Sequence, residues 1–254
     1  MNSNLNIETC LIELGVNRND VVMIHGDAGV AAQFKDISHS QKLETLIDQL
    51  KNYFTKEGTL VVPAFSYSFC KGENFDVENT PSEVGLFSEF FRKSDNIIRS
   101  NHPIFSVSTF GKYASIFSNS NISDCFGEET VFDLLLKYDV TIICLGCELD
   151  RVTFVHYVEQ KMKVPYRYFK TFNGFIKFKD NLVRQETKFF VRNETINANC
   201  DLSKFKTFAL ETKSLKKVTF GRFPVYAIKA RDFLNISVDL LKLDIYSLIK
   251  EGNL

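Results

Sequence analysis

The chain has 254 residues, 44% hydrophobic and 24% charged, a composition that suits a soluble globular protein of one large or two small domains. Lys+Arg and Asp+Glu balance at 31 each, so no global field draws the protein to nucleic acid or to an anionic membrane surface. No apolar run reaches the eighteen or so residues that a membrane-spanning helix needs, and "MNSNLNIETC" lacks the start of a secretory signal, so a cytoplasmic location without a membrane span is expected.

The first 160 or so positions alternate between helix and strand periods. "NIETCLIELGV" spaces Ile7, Leu11, Ile12 and Leu14 at helical intervals, with Gly15 as a stop, and "DVVMIHG" follows as a short apolar strand. "SHSQKLETLIDQLKNYF" is an amphipathic helix with Leu43, Leu46, Ile47, Leu50 and Phe54 on one face, ended by Gly58. "TLVVPAFSY" reads as a buried strand. "PSEVGLFSEFFRKS" reads as a helix that starts at Pro81 and carries Val84, Phe87, Phe90 and Phe91 as its stripe. "IFSVSTFG" alternates like a strand, "VFDLLLKYD" is a short helix, "VTIICLG" a third buried strand, and "DRVTFVHYVEQKM" the helix after it. From about Val164 the pattern changes. "YRYFKTFNGFIKFKDNLVRQETKFFVRN" reads as hairpin strands with turns at Asn173-Gly174 and at Lys179 to Asn181. A helix in "DLSKFKTFALETK", a strand pair around "KKVTFGRFPVYAIKA" and one or two C-terminal helices complete the chain.

This order predicts an α/β fold: a three-layer αβα sandwich with a mixed, largely parallel central sheet and an antiparallel C-terminal elaboration. No linker separates the halves, so one domain over 1–254 is expected, with an α/β core over 1–164 and the elaboration over 165–254. In such sheets sites collect where strands end and helices begin, which points to His25 to Asp27, Pro63 to Tyr67 and Gly146 to His156.

Three stretches carry candidate chemistry. On a helix, positions three apart are offset by about 60° and 4.5 Å, so Thr153, His156 and Glu159 of "TFVHYVE" form one polar ridge. A carboxylate beside an imidazole fixes its tautomer and stabilises its protonated form, the arrangement of a general base with its orienter. A partly buried histidine capped by a glutamate has the same spacing. "RSNHPIFSVSTFG" gathers Arg99, Ser100, His102, Ser106 and Ser108 at a helix-to-strand junction stiffened by Pro103, a set that can hold a phosphate-bearing ligand or face water as an ordinary loop. "IHGDAG" ends the first strand in small residues that admit close backbone approach, yet it is neither a P-loop nor a dinucleotide fingerprint. Cys144 and Cys147 have the spacing of half a zinc knuckle and His156 follows, but a structural site needs four ligands, so no metal is expected. A zinc hydrolase built on those three residues is a distant alternative.

Taken together and in this order, the first-strand histidine, "GTLVVPAFSYS", "TPSEVGLFSEFFR", "RSNHPIFSVSTFG" and Gly146, Asp150, Thr153, His156 and Glu159 resemble the aminoglycoside 3-N-acetyltransferase family. The resemblance implies acetyl-CoA as donor, a sugar amine as acceptor and a three-layer fold. Carried over residue by residue, it makes His156 the catalytic histidine, Glu159 and Asp150 its acidic neighbours and Thr153 the motif hydroxyl. It places Arg99, Ser100, His102, Pro103, Ser106 and Ser108 along the CoA arm, and His25, Gly26 and Asp27 near the pantetheine. The chain departs from the family pattern at Gly26-Asp27, where Ser-Ser is usual, and at Phe105, where the resistance enzymes carry a second histidine. Phe105 before Ser106, and "VPYRYF" after the His-x-x-Glu helix, are more similar to members that modify a nucleotide-linked amino sugar for surface polysaccharide. The resemblance therefore implies an amino-sugar N-acetyltransferase, monomeric or homodimeric, working by direct transfer with His156 as base; an aminoglycoside resistance enzyme and a non-catalytic CoA-binding member are its alternatives.

Overall fold

The computed structural model describes residues 5–196 and 198–250, apart from the side chains of His39 and Ser40. The start of "MNSNLNIETC" and the last four positions lie outside the described residues.

A seven-stranded sheet divides two apolar layers. Its strands are β1 (Val21–Gly26), β2 (Thr59–Pro63), β4 (Ile98–Arg99), β5 (Val107–Gly111), β6 (Thr141–Leu145), β9 (Lys216–Phe220) and β10 (Phe223–Lys229), in the order β4-β5-β2-β1-β6-β10-β9. The short β3 (Phe75–Asp76) belongs to a second sheet with β7 (Arg167–Phe178) and β8 (Asn181–Arg192). Parallel pairing is confined to the centre, where β1 runs with β2 and β6. The outer strands are antiparallel on both flanks, β5 against β2 as well as β10 against β6. The sheet is thus mixed, and its antiparallel part extends beyond the C-terminal segment.

Each layer follows from the apolar stripes. α1 (Ile7–Glu13), α2 (His39–Phe54) and α3 (Leu86–Lys93) cover one face, burying Leu11, Leu46, Ile47, Leu50, Phe54, Phe87 and Phe91 against Val22, Ile24, Leu60 and Val62. The other face carries α4 (Ala114–Ser118), α5 (Val131–Lys137), α6 (Phe154–Met162), α7 (Ser203–Glu211) and α8 (Ala230–Leu243), packed on Met23, Val61, Ile142 and Tyr226. Burying a side chain such as Leu50 or Phe87 stabilises the fold by about 1.5–3 kcal/mol before entropy is counted, and dozens do so here.

Two local expectations are corrected. The helix assigned from Pro81 starts at Leu86, because Gly85 has φ +112 and cannot continue a right-handed turn. The preceding residues are tied elsewhere: Glu83 N–H donates to the Phe65 carbonyl, and its carboxylate accepts from the Tyr67 N–H at 2.7 Å. Nor do Asn173-Gly174 make a turn. They lie inside β7, opposite Glu186 and Gln185, and the single reversal is at Lys179-Asp180. Gly174 is there because the Phe69 ring crosses it; a Cβ would sit 2.7 Å from Cε2 of that ring.

Candidate active site

β6 ends at Leu145, the chain turns at Gly146 with φ +73, and one 3-10 turn (Leu149–Arg151) leads into α6. A Cβ at Gly146 would lie 2.1 Å from Val30 Cγ2, so glycine is required on two counts. Phe154, Val155 and Val158 anchor α6 in the core, which leaves His156 at the rim with 23% of its side chain exposed. One turn further along, Glu159 is fully buried.

The spacing reading holds at atomic detail. His156 Nδ1 lies 2.6 Å from Glu159 Oε2. A carboxylate only accepts and the Arg167 guanidinium, 2.9 Å from the same Nδ1, only donates; the shorter contact, to the carboxylate, assigns the hydrogen to Nδ1 and leaves Nε2 bare. No described residue bonds Nε2, which makes it the nitrogen able to meet a ligand. A third group, Arg167 at the start of β7, joins the pair. Its Nη2 is 2.9 Å from His156 Nδ1, its Nε is 2.7 Å from Glu159 Oε2, and its Nη1 donates to the Phe190 carbonyl. The Nε approach is an ion pair with the N–H off line rather than an aligned hydrogen bond.

The charge states follow. Burial alone raises the Glu159 pKa, but His156, Arg167 and the Tyr166 hydroxyl outweigh it and hold the carboxyl below its ordinary range. Burial also lowers His156, and the Arg167 and Arg192 guanidinium groups lower it further against the pull of Glu159. At neutral pH the pair is a neutral imidazole and a carboxylate.

Of the other expected residues, Thr153 begins α6 and its hydroxyl caps no amide of its own helix. Asp150 does not reach the imidazole. Its Oδ1 accepts from the Leu202 N–H at 2.9 Å, tying the 3-10 turn to α7, and the carboxylate beside Nδ1 is that of Glu159.

In the segment expected along the CoA arm, most polar side chains bond within the fold. Ser100 Oγ accepts from the Val107 N–H, and Ser106 Oγ donates to the Ala64 carbonyl. His102 uses both nitrogens, Nδ1 accepting from the Ile104 and Phe105 amides and Nε2 donating to the Asp124 carbonyl. Arg99 spends its donors on Ser106 and on the carbonyls of Ala64, Val77 and Thr80, with its guanidinium over the Phe75 ring. Pro103 is buried, and Ser108 is buried with its hydroxyl unpartnered. These side chains brace the β4–β5 corner and leave few groups for a cofactor. Near β1, Gly26 makes room for the Phe87 ring, which a Cβ would meet at 2.5 Å. Asp27 caps the following 3-10 turn by accepting from the Gly29 N–H, and its own N–H goes to Leu145. His25 is buried, its Nε2 has no partner among the described residues, and burial lowers its pKa to about 4.

Sequence reasoning assigned no role to Arg167, Phe126 or Phe105 at the site. Phe126 packs on the His156 ring at 5.8 Å and on Phe105 at 4.9 Å, so "HPIFS" reaches the imidazole through two aromatic rings. The signal was present in Phe105, a departure from the family pattern, and in "VPYRYF", which contains Arg167; only the fold reveals their contacts. Among the described residues no group of three or more His, Cys, Asp or Glu is placed to hold a metal ion. Cys147 donates its thiol hydrogen to the His25 carbonyl. No helix among the described residues is long and apolar enough to cross a membrane.

With this geometry in hand, comparison with known proteins is specific. A family model described as aminoglycoside 3-N-acetyltransferase matches residues 30–242. Aminoglycoside N(3)-acetyltransferase IV from Salmonella sp is 27% identical over 158 residues, which is 61% of this chain and 58% of that protein. The chain thus matches under two thirds of that relative's length. The solved apoenzyme of aminoglycoside acetyltransferase AAC(3)-IVa superposes with a TM-score of 0.78 at 22% identity, covering 97% of this chain and 90% of that one. A binary complex of AAC-IIIb with CoASH gives 0.78 at 18%, covering 97% of each chain. At these identities the two structures establish the shared fold.

Proposed function

Since the chain belongs to the aminoglycoside 3-N-acetyltransferase family, we propose that it moves the acetyl group of acetyl-CoA onto an amine of an amino sugar, with an aminoglycoside as the acceptor. The observation that carries this reading is the His156–Glu159 contact of 2.6 Å at the rim of α6, with Nε2 bare. An amine of pKa near 8 is mostly ammonium at neutral pH and cannot attack a thioester. His156 Nε2 takes its proton, directly or through one water, and Glu159 stabilises the resulting imidazolium through Nδ1–H. The freed lone pair attacks the acetyl carbonyl; as the C–S bond breaks, the proton that the new amide nitrogen must lose passes to the departing thiolate, so that the amide and the CoA thiol are released. Thr153 is the expected hydroxyl for the developing oxyanion, since the amides of Asp27 and Gly29 are already committed. The pantetheine is expected near His25 rather than along Ser100 to Ser108.

A second acceptor, a nucleotide-linked amino sugar for surface polysaccharide, is favoured by one observation. The charges acting on His156 besides Glu159 are the guanidinium groups of Arg167 and Arg192, and nearby Asp124 is paired with Lys188 at 3.3 Å. With Arg167 paired to Glu159, Arg192 is the further positive charge acting there, and it favours a phosphate-bearing acceptor. Thiol release from acetyl-CoA, with product masses read for kanamycin-type acceptors and for nucleotide-linked deoxyaminosugars, separates the two. Acetylation of the former alone upholds the first reading, and of the latter alone the second. No thiol release with any amine acceptor would refute both and leave a non-catalytic member.

A further inference from the structure

Arg167 comes from a different element than the His156–Glu159 pair, and the chain makes an effort to bring it there. α6 ends at Lys163 in the left-handed region with φ +53, Tyr166 is buried beside Glu159, and β7 begins at Arg167. The guanidinium is 6% exposed and touches both members of the pair. We propose that Arg167 is a positioning residue: its guanidinium, fixed by the Nη1–H bond to the Phe190 carbonyl, holds the Glu159 carboxylate ionised and aimed at Nδ1, so that Nε2 is the imidazole nitrogen that accepts the substrate's proton. This rests on the reading of His156 as the base.

Glu159 Oε2 is 2.6 Å from Nδ1 and must be met by a hydrogen. Were the carboxyl to take up a proton, Nδ1 could accept from it, the hydrogen would move to Nε2, and the base would be lost. The guanidinium 2.7 Å from Oε2 opposes that protonation. The same guanidinium, 2.9 Å from Nδ1, cannot donate to a nitrogen that already bears hydrogen, so toward the ring its effect is repulsion of the imidazolium. Arg167 thus sustains a neutral, correctly tautomeric base in the resting protein. A lysine offers the charge on a flexible stem, without the plane that the Nη1–H bond to the Phe190 carbonyl fixes.

The charged and titratable groups facing the ring are Glu159 on its own helix, Arg167 at the head of β7 and Arg192 at the end of β8. Tyr166 and Cys200 stand behind Glu159, and both are pushed up by burial and by that carboxylate. None of these others touches both His156 and Glu159.

The test uses Arg167→Met and Arg167→Lys in the full chain, with His156 followed by imidazole NMR, which is tractable with four histidines. In R167M the His156 titration midpoint is expected to rise by about one pH unit or more, and the acid limb of kcat/KM to move with it. In R167K the midpoint stays near that of the unchanged protein while kcat falls at least about tenfold, the fixed guanidinium plane being gone. An unmoved midpoint in R167M, or unchanged kcat in R167K, overturns the proposal; the lysine variant decides it should R167M fail to fold. Failure of the parent reading has another signature: turnover survives in H156A while the midpoint still moves in R167M, which upholds the arrangement but not its use in catalysis.

Discussion

Replacing Glu159 by Gln is the sharpest single perturbation of this protein. The carboxylate is fully buried, 2.6 Å from His156 Nδ1 and 2.7 Å from Arg167 Nε. At an effective dielectric of about 20, unit charges at that separation attract by roughly 6 kcal/mol, part of which offsets the cost of burying them. Glutamine keeps the shape and an acceptor for Nδ1–H but leaves the Arg167 charge buried without its counterion. Breaking a buried pair from one side costs about 3–5 kcal/mol, a fall in Tm of roughly 2–4 °C for each kcal/mol in a chain of this size. Urea unfolding at pH 7, with the slope checked for constancy, measures the loss. The double variant E159Q/R167M removes both charges and is expected to be more stable than E159Q alone, because the stranded cation is gone. A loss below about 1 kcal/mol in E159Q, or a double variant as unstable as the two single losses added, would refute a dry, coupled pair.

Four further outcomes follow from the same geometry. His156→Ala is expected to cost about two to four decades in turnover with acetyl-CoA binding nearly intact, read by thiol release and by equilibrium binding. Asp150→Asn is expected to change turnover less than about threefold, since its Oδ1 serves the Leu202 amide and not the imidazole. Gly174→Ala is expected to cost about 1–3 kcal/mol in urea unfolding, because the new Cβ meets the buried Phe69 ring. Stability is also expected to depend on pH through His25 and His102, both lowered by burial from 6.5 to about 4. Between those values the unfolded chain binds more protons than the folded one. The stabilisation is therefore full above about pH 6.5 and declines toward pH 4, by about 2.7 kcal/mol per pH unit for the two rings together, as urea midpoints at pH 7, 6 and 5 would record.

Much of this molecule was legible in one dimension because its causes are local. The stripe Leu43, Leu46, Ile47, Leu50 and Phe54 has only one way to be buried at once, a helix on a sheet, and α2 is that helix. Likewise, the three-residue step from His156 to Glu159 puts the two side chains together on any α-helix, so their contact needed no knowledge of the rest of the chain. Even so, spacing could not separate Glu159 from Asp150 as the partner, because the 3-10 turn that carries Asp150 takes its direction from α7.

What tertiary structure decided is direction and company. Serines and a histidine in "RSNHPIFSVS" look like ligand groups when written out, yet the β4–β5 corner turns them inward to satisfy backbone amides and carbonyls. Asn173-Gly174 has the composition of a turn, but a ring from a distant segment claims the glycine and the strand runs straight through. Arg167 belongs to a strand with its own period, and nothing in its neighbours announces that it will meet a helix that ended five residues earlier. Hydrophobic periodicity is set residue by residue along the chain. The identity of the third group at a site is set by which elements pack side by side, a property of the whole sheet and its two layers.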